Sequence, residues 1–146
     1  TIVELNREKP WGGYIRIDNK EADKFVEDFF PGISPEEARL GMDIELSPKI
    51  LIVSPEQRLS WQYHDRRAER WVFLTKGSYN KSATDEQGEP VLVEPGHIVQ
   101  FETGERHRLN GISEYSLVAE IWQHTDPDNP SDEDDIVRLQ DDYQRR

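Results

Sequence analysis

The 146-residue chain has no cysteine and a single methionine, Met42. It therefore forms no disulfides and offers no thiolate metal ligands. Long apolar runs are missing too. No window approaches the roughly 20 apolar residues that cross a bilayer as a helix, so no membrane partner is expected. Thr1 to Pro10 is polar and lacks the apolar stretch of a secretory signal, and a cytoplasmic location is the expectation. Basic charge is in deficit: 18 Lys and Arg face 30 Asp and Glu, a formal net charge of −12. That balance disfavours nucleic acid, whose phosphates need a basic footprint. It leaves room for a small anionic ligand, because one pocket can be basic on an acidic surface. Aromatic residues are present at 10%, too many for a disordered polymer. One compact domain over residues 1–146 is expected.

Residues 10–17, Pro-Trp-Gly-Gly-Tyr-Ile-Arg-Ile, read as a turn entering a short strand. The period then changes. Phe25, Val26, Phe29 and Phe30 lie at helical spacing, and Pro31-Gly32 stops them. Ser34-Pro35-Glu36-Glu37 supplies an N-cap, a first-turn proline and a capping-box glutamate, and Gly41 closes that helix. Residues 19–43 thus read as a helical insertion or lid. From Ile44 the pattern is short strands between turns, predicted near 44–46, 49–53, 58–64, 69–75, 78–83, 90–93, 98–101, 107–109 and 115–122. This many short strands implies an all-β jelly roll or small barrel. After Thr125 comes a loop, and Ser131 is predicted to cap a C-terminal helix over 131–146, with Ile136, Leu139 and Tyr143 on one face.

Four histidines are available: His64, His97, His107 and His124. Gln62 and His64 point the same way on a strand, because side chains alternate. A hairpin turn through Asp65 to Ala68 would return Glu69 to the same interior. His107 follows the Thr103-Gly104 turn. Imidazole, carboxylate and amide groups together form a mixed N/O set for a first-row divalent ion. His97 reads as a turn residue and His124 as a strand–loop junction. Trp71 and Phe73 share Glu69's parity and read as barrel core.

The spacing of these residues resembles the two signature motifs of the cupin superfamily. In the first, Gln62 and His64 fill the His-x-His pair, Glu69 follows four residues after, and Gly77 closes it; Glu56 stands for the leading glycine. In the second, Gly96, Gly104 and His107 match, Asn110 arrives one residue early, and Glu102 stands in place of proline. Within that superfamily the chain is similar to the type II phosphomannose isomerases. The similarity lies in Lys9-Pro10-Trp11-Gly12-Gly13-Tyr14, in Arg58 to His64 followed by Arg67 to Trp71, in His107-Arg108-Leu109, and in Asp134 to Arg145. Its departures are Arg66 and Arg70 where that family has further histidines, Trp122 for a glutamine, and Gln144 for a glycine. The similarity covers an isomerase module, and guanylyl transfer is not expected.

The resemblance implies a cupin jelly-roll barrel holding one divalent metal ion, Zn²⁺ before Mn²⁺, Fe²⁺, Co²⁺ or Ni²⁺, on Gln62, His64, Glu69 and His107. It implies an aldose–ketose isomerase interconverting mannose 6-phosphate and fructose 6-phosphate through a cis-enediol. Lys49 and Glu120, at family-matching positions, are the expected catalytic residues, and Arg138 and Arg145 the expected phosphate ligands. A homodimer paired through sheet edges is a further implication. Two alternatives stand beside this reading: an isomerase of an unphosphorylated sugar, and a metal-bound sugar-binding module without turnover.

Overall fold

Alternation in Lys-Ile-Leu-Ile-Val sets the frame, burying Lys49, Leu51 and Val53 on one face and leaving Ile50 and Ile52 half-buried on the other. The same period recurs along the chain. The structure, a computed structural model, describes residues 1–145. Its strands are β1 (Ile2–Lys9), β2 (Gly12–Ile17), β3 (Lys49–Val53), β4 (Trp61–Tyr63), β5 (Arg67–Phe73), β6 (Gly77–Ser82), β7 (Val91–Val93), β8 (Ile98–Phe101), β9 (Arg106–Asn110), β10 (Ser116–His124) and β11 (Val137–Gln140). Between β2 and β3 lie a 3₁₀ turn (Asn19–Glu21) and two helices, α1 (Ala22–Phe29) and α2 (Pro35–Ala38). The strands form two antiparallel sheets, ordered β1-β2-β3-β10-β5-β8 and β11-β4-β9-β6-β7. This is the all-β cupin jelly roll that the strand pattern and motifs implied.

The sheets meet over Leu51, Val53, Trp71, Phe73, Phe101 and Leu109, so Trp71 and Phe73 are core as expected. A second core lies on the other side of the larger sheet. There Phe25, Val26 and Phe30 pack with Leu46 against Val72, Ala119 and Ile121. The insertion therefore covers the outer face of the sheet, opposite the barrel interior, and is not a lid. With both faces covered, eight of the nine residues of β10 are buried and Leu117 is half-buried. The capping box at Ser34 and Glu37 forms with both of its hydrogen bonds.

Three expectations need correction, and one strand lies where none was predicted. Thr1 to Pro10 is mostly a strand: β1 pairs antiparallel with β2 from Ile2↔Ile17 to Lys9↔Gly12, and its largely exposed faces hid the pattern. Residues 44–46 are not a strand. Ser47 takes a positive φ of 48°, and the Leu46 carbonyl instead accepts from Trp122 N at 2.8 Å. The turn after β4 is not a hairpin, because β4 and β5 lie in opposite sheets and the chain crosses the barrel between them. Finally, residues 131–145 form no helix. Val137 and Arg138 pair with Tyr63 and Gln62, so β11 closes the open edge of β4, whose backbone groups would otherwise lack partners on that side. Position 146 of the expected helix lies outside the described residues.

Gly12 shows how tightly the β2–β3 pairing is drawn. It has a φ of +147°, and a Cβ there would sit 2.0 Å from the Ile52 carbonyl oxygen. Gly88 also has a positive φ, but open space surrounds it. Gly12→Ala is expected to destabilise the fold by roughly 2–4 kcal/mol and Gly88→Ala by about 1 kcal/mol, measured by urea unfolding.

Candidate metal centre

Three segments meet inside the barrel. β4 delivers Gln62, the residue after it is His64, and β5 brings Glu69 from the opposite sheet. β9 adds His107, whose backbone is registered with Gln62. His64, Glu69 and His107 are each only 2% exposed, and their ligand atoms lie within 4.8 Å of one another. Glu69 Oε2 is 3.2 Å from His64 Nε2, and Glu69 Oε1 is 3.3 Å from His107 Nε2. Donors bound to one ion at about 2.1 Å stand about 3 to 3.5 Å apart, so the spacing suits a cation between them.

The hydrogen bonds on the far side of each ring decide its tautomer. His64 Nδ1 donates to the Asp135 carbonyl at 2.7 Å, and His107 Nδ1 donates to the Glu105 carbonyl at 3.1 Å. Each Nε2 is then left as a lone pair aimed at Glu69, the arrangement a metal requires. Glu69 Oε1 and His107 Nε2 are buried polar atoms without hydrogen-bond partners. Such orphaned acceptors are costly unless a cation joins them, so the residues fit a divalent ion. Burial lowers the His107 pKa and keeps the ring neutral, as a ligand must be. Burial alone would raise Glu69, but the facing His64 imidazole and the Arg67 guanidinium outweigh it and hold the carboxyl well below its ordinary value.

Gln62 stands beside the triad with its nitrogen inward. Its Oε1 accepts from Ser60 Oγ at 2.5 Å, while Nε2 lies 3.4 Å from His64 Nε2. A half-turn of the amide exchanges the two atoms.

The catalytic and phosphate candidates come to the same place. Lys49 and Glu120 are direct partners across β3 and β10, and both are buried. Together with Glu69, Arg138 and Arg145 they line a cavity of about 110 Å³. Trp71 Nε1 donates to Glu120 Oε1 at 3.1 Å. Burial, then the nearby Glu69 charge, push the Glu120 carboxyl up to about 8. Arg138 reaches the cavity from β11, and Arg145 from the turn beyond it, where Asp141 accepts from its Nε at 2.8 Å and from its Nη2 at 3.2 Å.

Several participants were not singled out from the sequence. Arg67 is buried: its Nε donates to Glu69 Oε2 at 2.9 Å, and its guanidinium lies 3.6 Å from the Trp122 ring centre. Lys49 Nζ lies 4.4 Å from that same ring, so Trp122 is a platform for two cations. Glu133 accepts from Lys49 Nζ at 2.8 Å. Lys9 also lines the cavity. Strand parity, which marked Glu69, marks Arg67 two residues earlier equally well; nothing local marks Glu133. Of the departures, Arg66 ties down the 129–132 segment, and Arg70 faces outward toward Gln100, away from the triad. His97 packs against Phe73 and Tyr79, and His124 Nδ1 accepts from Ser131 N. Neither belongs to the triad.

The family model described as mannose-6-phosphate isomerase C-terminal matches residues 38–141, a span that includes Gln62, His64, Glu69 and His107. Among solved structures, the capsular polysaccharide assembling protein CapF from Staphylococcus aureus has a TM-score of 0.59 at 12% identity, covering 94% of this chain and 32% of that one. The plu4264 protein from Photorhabdus luminescens has a TM-score of 0.54 at 14% identity, covering 86% of this chain and 82% of that one. The DMSP lyase DddQ from Ruegeria pomeroyi has a TM-score of 0.50 at 15% identity, covering 64% and 43%. At these identities the likeness is one of fold. The chain spans about a third of the length of the CapF proteins it matches. No curated sequence matches it. With the motif residues drawn together at one buried triad, and the family match running through every one of them, the chain belongs to the mannose-6-phosphate isomerase C-terminal family of cupins.

Proposed function

We propose that the chain is a divalent-metal-dependent aldose–ketose isomerase of a sugar phosphate, interconverting mannose 6-phosphate and fructose 6-phosphate. One observation carries this reading. Lys9, Lys49, Arg67, Arg138 and Arg145 gather round one cavity beside the His64–Glu69–His107 donors, in a protein of net charge −12. Cations concentrated in a cleft of an acidic protein suit an anionic substrate. The metal would be held by His64, Glu69, His107 and, with its amide turned, Gln62. When bound, it polarises the sugar carbonyl and the adjacent hydroxyl.

The remaining chemistry belongs to this chain's side chains. Glu120, as its carboxylate, takes the proton from C2, and the C–H electron pair becomes the C1–C2 double bond while Lys49 protonates O1. The resulting cis-enediol then loses the O2 proton to Lys49. As C2 becomes the ketone carbonyl, Glu120 returns its proton to C1. Arg138 and Arg145 hold the phosphate, for which guanidinium geometry is suited. Trp11, Leu51 and Leu59 wall the cavity with apolar surface. A second reading, isomerisation of an unphosphorylated sugar, is favoured by one feature: Arg145 is already bonded to Asp141 and Lys49 to Glu133.

Metal-replete protein is expected to exchange the C2 hydrogen of mannose 6-phosphate with solvent and to form fructose 6-phosphate, followed by proton NMR in deuterated water. Absence of exchange would overturn the isomerase reading and leave a sugar-binding module. Glu120→Gln is expected to lower kcat by about 100-fold or more with metal content unchanged. Turnover of free sugars that survives Arg138→Ala and Arg145→Ala together would support the second reading.

Metal addition is expected to raise Tm in the wild type, since a ligand bound only by the folded state stabilises it. His64→Ala should lose both that rise and its metal, measured by elemental mass spectrometry after dialysis. Equal metal content in the variant would sink the ligand assignment.

A further inference from the structure

The chain from Ser131 to Ile136 forms a strap beside the cavity, and it is firmly anchored. Ser131 N donates to His124 Nδ1 at 2.9 Å, and Arg67 Nη1 donates to both Ser131 Oγ and the Asp132 carbonyl, at 2.9 and 3.0 Å. The Asp135 carboxylate accepts from Asp65 N, Arg66 N and the Ser131 hydroxyl at 2.6 to 3.0 Å. Between these anchors stands Glu133. Its side chain is 72% exposed, yet its carboxylate reaches Lys49, whose side chain is 7% exposed. Lys49 is an ammonium set into an aromatic wall, 4.4 Å from the Trp122 ring centre and 5.4 Å from that of Tyr14. Drawing the carboxylate tip toward the cavity would raise the Glu133 pKa, but Lys49 first, then Arg67 and Lys9, outweigh this and hold it below its ordinary value. The anionic position of a cation-lined cavity is thus filled by the protein's own carboxylate, reaching in from the solvent side.

Resting on the sugar-phosphate reading of this cavity, we propose that Glu133 is a specificity-determining residue, a tethered carboxylate on Lys49 that only a ligand bearing its own anionic group, held at Arg138 and Arg145, repels from the cavity. The anchors on either side keep the strap in place, so releasing Lys49 to the sugar oxygens needs only the Glu133 side chain to swing outward. A neutral sugar brings no charge to repel the carboxylate and leaves the pair closed. Removing the carboxylate frees Lys49 and also removes a negative charge that repels phosphate.

Glu133→Gln and Glu133→Ala test this, with Asp134→Asn as a control that removes an equal charge from the same exposed strap. Binding of inorganic phosphate, mannose 6-phosphate and mannose is measured by calorimetry. Both Glu133 variants are expected to bind the two phosphates about five-fold tighter or more, a gain that shrinks with added salt. Affinity for mannose should stay constant, and Asp134→Asn should shift phosphate binding by less than about two-fold. Phosphate affinity that is unchanged or weakened in the Glu133 variants overturns the proposal. So does an equal gain in Asp134→Asn, which would reflect general surface charge. Inorganic phosphate needs no turnover to bind: a chain that shows the gain without isomerising mannose 6-phosphate loses only the isomerase reading. Isomerisation without the gain removes only the role of Glu133.

Discussion

The Glu69 carboxylate lies at the centre of the barrel, and burying it dictates what surrounds it. A carboxylate removed from water must be answered by cations and donors, or it protonates. Here Arg67 supplies a charged hydrogen bond to Oε2, while two imidazole nitrogens face its oxygens at 3.2 and 3.3 Å. Because their other ring nitrogens donate to the backbone carbonyls of Asp135 and Glu105, those nitrogens meet the carboxylate as bare acceptors, an arrangement that a cation between them would satisfy. The donor set is therefore preorganised for a divalent ion by contacts outside the set itself. Arg67 joins this centre to its surroundings, since the same guanidinium lies over Trp122 and binds the strap at Ser131.

The strap and the strand after it give the end of the chain its role. β11 closes the edge of β4, the strand that carries Gln62, while Asp135 caps the backbone of Asp65 and Arg66 and accepts from His64 through its carbonyl. The final residues of the barrel thus orient the His64 ring, cover the strand before it and contribute cations to the cavity. On the other side of the larger sheet, α1 and α2 pack against its outer face. They bury the outer residues of β5 and β10, so that the inner residues of the same strands, Glu69 and Glu120 among them, are held on a sheet supported from both sides.

The candidate metal-binding side chains were readable because their placement is local. Strand alternation puts Gln62 and His64 on one face, and the parity of β5 puts Glu69 with Trp71 and Phe73. The motif spacing then linked them to His107 across a gap that alternation cannot bridge. The helical insertion was legible from its period and its capping box, though its period did not say which face of the sheet it would cover. The C-terminal segment misled for a definite reason. Ile136, Leu139 and Tyr143 sit at helical spacing, but Val137 to Gln140 can equally extend, and the unpaired edge of β4 decides between them. β1 was missed because a strand with both faces largely exposed carries no apolar alternation.

Charge explains the rest. A third of the chain is Asp, Glu, Lys or Arg, so a single Glu133 or Arg67 has nothing in its neighbourhood to distinguish it. Their partners are distant in sequence: Lys49 lies 84 residues from Glu133, and Ser131 lies 64 from Arg67. The sequence by itself determined the jelly-roll class, the absence of thiolate ligands and the candidate donor side chains, because each depends on residue type and short-range period. Only the tertiary structure decided which cations meet in the cavity, which carboxylates answer them, and that the acidic tail is a strand closing the barrel. Those outcomes depend on long-range electrostatics and on an edge strand's unmet hydrogen bonds, neither of which leaves a periodic trace along the chain.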